Sequence, residues 1–298
     1  MSSYLAATVH ERLRGVFDPD SFEAFDTPGT PTTSPHLARF NLPAAAGDGV
    51  AIGRATLNGE TVYTAAQDGN FLGGAVGEVH GARLTGLLRR AARDRVAAVV
   101  LLIESGGVRL QEANAGLIAV SEVMRALLDA RAAGVPVVAL VGGANGAFGG
   151  MGIIACCANV VVMSAEARLA MSGPEVIASS NGRAEFDPRD RDLVWRTTGG
   201  KHRYLLGDCQ VLVADDLAAF RLAALEALAI CTGAPVALTL DALEHEQQLL
   251  ASRIERFGTL RDPLDIWQAL GIPDAHHLPS LAAPAFVDAT VPYRLGTP

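Results

Sequence analysis

The stretch Val96-Ala-Ala-Val-Val-Leu-Leu-Ile103, running directly into Glu104-Ser105-Gly106-Gly107-Val-Arg109-Leu-Gln111, decides the fold. A continuous apolar run of strand length, ended by a Gly-Gly pair, reads as a strand buried on both faces that delivers its carboxyl end to a tight loop. Two more segments repeat the arrangement. Phe71-Leu-Gly73-Gly74-Ala75-Val-Gly77-Glu78-Val-His80-Gly81 precedes it, and Gly142-Gly-Ala-Asn-Gly-Ala-Phe-Gly149-Gly150-Met151-Gly152 follows the apolar run Val137 to Val141. Such loops present bare backbone N–H groups, and where a helix begins at the loop its positive dipole end joins them, an arrangement suited to a developing oxyanion.

Outward from these loops the chain alternates strand and helix. A hairpin is expected from Gly49 to Gln67 around Asn58-Gly59, because Asn-Gly favours the two-residue turn. Helices are expected at Glu78 to Arg93, Glu112 to Ala133 and Met151 to Ala158, and strands at Val96 to Ile103, Val137 to Val141, Val160 to Met163 and Ala167 to Met171. Repeated strand, loop and helix units imply a parallel α/β sheet whose ligands sit at the strands' carboxyl ends. Before the hairpin, residues 1–46 read as an N-terminal arm with one short helix, Val9 to Phe17, and prolines 28, 31, 35 and 43. Residues 47–233 form the main domain, and 234–298 a helical C-terminal extension and tail. Helices are expected at Asp215 to Cys231 and Ala242 to Phe257, with a proline-rich tail from Pro273.

With 298 residues, 50% of them hydrophobic and 19% charged, the chain has the material for an extensive core. No apolar run approaches the ~20 residues of a bilayer span, and the first residues lack the pattern of a secretory signal, so a cytoplasmic protein without membrane contact is expected. A net charge of −8 argues against nucleic-acid binding. Cys156, Cys157, Cys209 and Cys231 show no C-x-x-C spacing, so free thiols rather than a metal site are expected. The basic run Arg89-Arg90-Ala-Ala-Arg93-Asp-Arg95 reads as a solvated helix end or as a dock for an acidic group. Lys201 is the single lysine against 23 arginines, which singles out Thr-Gly-Gly-Lys201-His-Arg as a place for a compact ammonium.

The loops also carry a resemblance. Phe71 to Leu84 resembles the F-x-G-G-[SA]-x-G-x-V-x-G signature of acyl-CoA carboxyltransferases. Ser105-Gly106-Gly107-Val-Arg109-Leu-Gln111-Glu112 is similar to their S-G-G-A-R-x-Q-E segment, Gly149-Gly150-Met151 to their third Gly-Gly loop, and Gly173-Pro174-Glu175-Val-Ile177 to their G-P-x-V-I. Four matches in order across about 110 residues implicate the crotonase-like fold, a spiral of β-β-α units. Gln111-Glu-Ala-Asn-Ala-Gly-Leu-Ile118 and Val194 to Asp208 most resemble the beta subunits of biotin-independent malonate decarboxylases. No cysteine precedes Cys156, whereas acetyl-CoA carboxylase beta subunits carry an N-terminal four-cysteine zinc ribbon.

That resemblance implies decarboxylation of a malonyl thioester through an enolate held by backbone donors, at Gly106 or Gly107 and at Gly150 or Met151. Gly73, Gly74, Ala75, Gly149, Gly173, Pro174 and Lys201 would line the path of the substrate and its carrier arm. No cofactor would be bound permanently; the malonyl group would arrive on the phosphopantetheine-type (dephospho-CoA derived) prosthetic group of an acyl carrier protein. A gamma-type crotonase-like subunit would complete a hetero-oligomer. Candidates for the proton donor are His80, Glu78, Glu112 and His202, together with water or a group of the partner. The alternatives are the beta-type half of a biotin-dependent carboxyltransferase and a non-catalytic assembly subunit.

Overall fold

In the computed structural model, which describes residues 2–25 and 33–296, the apolar runs become strands in the expected order. These are β1 (Glu23–Ala24), β2 (Val50–Leu57), β3 (Glu60–Gln67), β4 (Ala98–Ile103), β5 (Val137–Val141), β6 (Ala147–Phe148), β7 (Val160–Ser164), β8 (Leu169–Ala170) and β9 (Val211–Val213). The main sheet runs β1-β2-β3-β4-β5-β7-β9, antiparallel through β3 and parallel from β3 onward, while β6 and β8 pair separately. The β2–β3 turn has positive φ at both Asn58 and Gly59, as the Asn-Gly pair requires.

Side-chain alternation sorts β4 and β5 into two cores. Val99, Leu101 and Ile103 with Val137, Ala139 and Val141 face one layer; Ala98, Val100 and Leu102 with Val138 and Leu140 face the other. The first layer is covered by α2 (Glu78–Asp94), α3 (Asn114–Ala132) and α4 (Gly149–Cys156); the second by α1 (Val9–Val16) and, further along the chain, Leu217–Thr232. Residues 4–17 of the N-terminal arm pack into the second layer: Tyr4, Leu13, Val16 and Phe17 are buried, and Tyr4 stacks on Phe220 with ring centroids 3.8 Å apart.

The chain after β8 holds more regular structure than its composition suggests. Helices α5 (Pro174–Asn181), α6 (Arg191–Thr198) and α7 (Gly200–Leu206) occupy the polar and charged stretches. Pro174 stands in the first turn of α5, where a missing N–H costs nothing, and the Asp190 carboxylate caps α6 by accepting from the Leu193 N–H. Beyond α8 (Leu217–Thr232) and α9 (Leu240–Phe257) comes α10 (Pro263–Ala269), and the expected proline-rich tail from Pro273 holds α11 (Ala283–Thr290), both helices with proline in the first turn. Trp267 and Phe286 carry these two helices into the first core.

Candidate functional site

The three glycine loops emerge at the carboxyl ends of β3, β4 and β5 and touch one another through backbone. The Gly106 N–H donates to the Gly73 carbonyl at 2.8 Å, and the Val76 N–H to the Gly107 carbonyl at 2.8 Å. Gly74, at φ +67°, packs so closely on the Glu104 carbonyl that a Cβ there would collide with it. A Cβ on Gly149 would stand 3.2 Å from the Gly107 Cα, and the Gly149 N–H donates to the Met171 carbonyl at 2.9 Å. The Gly173-Pro174 turn therefore begins two residues beyond the backbone that holds the third loop.

The backbone donors are not equivalent. Gly106 has spent its N–H on Gly73, and the Gly107 N–H lies 3.2 Å from the buried Ser105 hydroxyl. Gly150 and Met151 stand in the first turn of α4, where no intrahelical acceptor exists, and their N–H groups make no hydrogen bond among the described residues.

Beneath the loops lies a buried polar network. Arg109, 1% exposed, pairs with Asp48 at 2.8 Å and Glu112 at 2.7 Å, and donates to the Ala75 carbonyl at 3.1 Å. Both carboxylates cap α2, Glu112 accepting from the Glu78 N–H at 2.6 Å and Asp48 from the His80 N–H at 3.0 Å. Burial alone would raise the Glu112 carboxyl; the Glu78 N–H, Arg109 and the Ser34 hydroxyl outweigh it and hold it below the usual range.

His80 is fully buried, its Nδ1–H donating to the Asp48 carbonyl and its Nε2 accepting from the Gln67 amide at 2.9 Å. Desolvation brings its pKa down to about 3, so it stays neutral with both nitrogens engaged and has no proton to release. His202, also brought to about 3 by burial, accepts from the Trp267 indole at 3.2 Å beneath the C-terminal helices. Glu112 is locked by its ion pair with Arg109 and by the Glu78 N–H. Glu78 keeps an accessible carboxylate, 3.0 Å from His36.

Lys201 points away from the loops. Its ammonium donates to the Pro279 and Leu281 carbonyls at 2.7 and 2.6 Å, fastening the segment that leads into α11. In the basic run, Arg89 pairs with Glu122, Arg90 and Arg93 with Asp94, and Arg90 lies 3.9 Å from the Phe25 ring centroid. The four cysteines are free. Among the described residues no group of three or more His, Cys, Asp or Glu is placed to hold a metal, and no helix is long and apolar enough to cross a membrane.

Sequence reasoning did not single out Arg12, Asp48, Gln67, Glu104 and Asn145 as parts of this site. Glu104 had a signal, standing between the strand and the Gly-Gly pair. Arg12 had none, because only the fold brings α1 under β4.

A carboxyl transferase domain model matches residues 6–229, which takes in all the glycine loops and the network under them. The chain belongs to the carboxyl transferase family. Its crotonase-like fold follows, with the helical C-terminal region lying outside the matched span.

Among members of that family, the chain is 40% identical to the malonyl-S-ACP:biotin-protein carboxyltransferase MADC of Malonomonas rubra, over 74% of this chain and 73% of that protein. It is 33% identical to the acetyl-coenzyme A carboxylase carboxyl transferase subunits beta/alpha of Saccharopolyspora erythraea, over 57% of this chain and 31% of that protein. A chain in the structure of a Pseudomonas malonate decarboxylase hetero-tetramer in complex with malonate superposes with a TM-score of 0.81 at 36% identity, covering 90% of this chain and 97% of its own. The Pseudomonas malonate decarboxylase MdcD-MdcE hetero-dimer gives 0.65 at 33%, covering 84% and 96%.

Proposed function

We propose that this chain is the beta-type subunit of a malonate decarboxylase, converting a malonyl thioester on an acyl carrier protein to the acetyl thioester and CO2. The observation that carries the reading is the pair of unspent N–H groups at Gly150 and Met151, set at the head of α4 directly after Gly149, which packs on Gly107. The likeness to the malonate decarboxylase chains, at 36% identity over 90% of this chain, supports the choice of reaction.

In the reaction the bond between the carboxylate carbon and the methylene carbon breaks. CO2 leaves, and the electron pair passes onto the thioester oxygen as an enolate. Donors aimed at that oxygen are worth about 3 kcal/mol each, two to three powers of ten in rate. Gly150 and Met151 supply two in this chain, and Gly107 a third once its N–H exchanges the Ser105 hydroxyl for the substrate. The methylene carbon then takes a proton to become the acetyl methyl group. His80, His202 and Glu112 are each locked in buried contacts, so the proton comes from water, from Glu78 or from a gamma-type crotonase-like partner across the site. Gly73, Gly74, Ala75, Gly149, Gly173 and Pro174 border the approach of the carrier's prosthetic arm, whereas Lys201, taken up by the Pro279 and Leu281 carbonyls, does not bind it.

A second reading has its own support: the Malonomonas rubra relative transfers the carboxyl group to a biotin protein. Reconstitution with a gamma-type partner and malonyl carrier protein, without biotin, separates the two. Equal yields of CO2 and acetyl thioester are expected; carboxyl transfer that begins only on adding biotin protein would replace the first reading with the second.

A further inference from the structure

The Glu104 side chain stands where all three glycine loops meet. Its carboxylate accepts from the Asn145 backbone N–H at 3.2 Å and from the Asn145 side-chain amide at 3.3 Å; that amide also donates to the Gly69 carbonyl at 3.0 Å. Gly69 and Gly143 lie so close that a Cβ on either would collide with the Glu104 carboxyl group. The segments leading into the first and third loops are therefore moulded on a side chain that precedes the second. The Glu104 N–H in turn donates to the Gln67 side chain, which holds His80 and through it Asp48 and Arg109.

The other Glu104 oxygen is paired with Arg12 of α1, whose guanidinium also donates to the Tyr4 carbonyl at 2.9 Å and the Leu5 carbonyl at 3.2 Å. Both charges are buried, Arg12 at 3% and Glu104 at 6% exposure. A buried pair of this kind contributes little net stability compared with an apolar replacement, whereas a shared acceptor for two loops fixes their relative position. We infer that Glu104 is a positioning residue that sets the three glycine loops in register, with Arg12 holding its carboxylate from the N-terminal segment.

This rests on the reading above for its catalytic consequence, but its structural part is measurable without turnover. Two double variants remove both buried charges: Arg12→Met/Glu104→Gln keeps an acceptor for Asn145, and Arg12→Met/Glu104→Leu does not. Amide hydrogen exchange on each chain is the first readout. In the leucine variant, exchange is expected to rise at least about ten-fold in segments 68–76, 104–112 and 143–152 together, with β5 and β7 unchanged; the glutamine variant stays near wild type. In the reconstituted decarboxylase the leucine variant should lose about 10- to 100-fold in kcat at a KM within about three-fold, the signature of misplaced rather than missing groups.

Should the leucine variant fail to fold, Asn145→Ala removes the side-chain amide that bridges the Glu104 carboxylate and the Gly69 carbonyl, keeping only the backbone N–H contact, and must loosen segments 68–76 and 143–152 together. A rise confined to residues 104–106, a uniform rise over the whole chain, or equal behaviour of the leucine and glutamine variants would overturn the assignment. If the wild-type complex releases no CO2, the proposed reaction fails, while the exchange data still decide the role of Glu104.

Discussion

Deleting the Gly150 N–H without disturbing any titratable group puts the oxyanion reading at risk directly. Proline at 150 removes the donor, but a Cβ there would approach Val120 Cγ1 to 2.6 Å and Cγ2 to 2.8 Å, so proline alone confounds a lost donor with a clash. Val120→Ala clears both methyls at a cost of about 1.6 kcal/mol of burial at ~0.8 kcal/mol each, part of which the new Cβ recovers. The informative comparison is Val120→Ala/Gly150→Ala against Val120→Ala/Gly150→Pro. Both place a Cβ in the space that Val120→Ala clears, position 150 lies in the first turn of α4 where proline is tolerated, and only the second lacks the N–H. Assayed by CO2 release in the reconstituted complex, the alanine pair should stay within a few-fold of wild type. The proline pair should lose about 10²–10³ in kcat relative to it, about 3–4 kcal/mol of transition-state stabilisation, with KM little changed. A proline pair folded and within ten-fold of the alanine pair would refute the role of that N–H.

Gly74→Ala meets the Glu104 carbonyl, a backbone atom that cannot swing aside, and also carries a positive φ; a loss of at least about 2 kcal/mol is expected in urea unfolding, with kcat reduced because two loops move together. Lys201→Met leaves the Pro279 and Leu281 carbonyls without their donor and should cost about 1–3 kcal/mol, seen first as faster hydrogen exchange in residues 278–290; an effect confined to KM with that segment unchanged would instead place the ammonium on substrate. His80 and His202 each have a folded pKa near 3 against an ordinary 6.5. In this range the unfolded chain binds protons that the folded chain refuses, so the stabilisation present above pH 6.5 is lost as pH falls toward 3, each histidine contributing up to about 1.4 kcal/mol per pH unit. His202→Gln, which keeps an acceptor for Trp267, should flatten the slope of unfolding free energy between pH 6 and 5 by that amount; an unchanged slope would show that His202 does not resist protonation.

The parts of the fold legible in sequence are those where periodicity is local. β4 and β5 are uninterrupted apolar runs because both faces are buried, and the Asn58-Gly59 turn announces the hairpin through its backbone demand. The loops were legible as loops, since Gly74, Gly107 and Gly149 adopt positive φ. What could not be read was how their donors are spent. That Gly106 serves Gly73, while Gly150 and Met151 remain unpaired, depends on contacts between residues more than 30 positions apart in the chain. Composition misled in the second half: the charged run before Arg191 hides the Asp190 cap, and the C-terminal prolines begin helices. Lys201 stood out by rarity, yet rarity records no direction, and the fold turns it to the carbonyls of residues 279 and 281. Arg12 was invisible for the converse reason, an unremarkable arginine on a short helix that tertiary packing places against Glu104.

The central claim is that these loops support decarboxylation of a malonyl thioester without carboxyl transfer to biotin. Its most direct test is CO2 release from carboxyl-labelled malonyl carrier protein by this chain with its gamma-type partner, measured with and without excess avidin. Label should leave as CO2 in a one-to-one ratio to acetyl thioester at the same rate in both arms. Label retained until a biotin protein is supplied, or release abolished by avidin, would contradict the account.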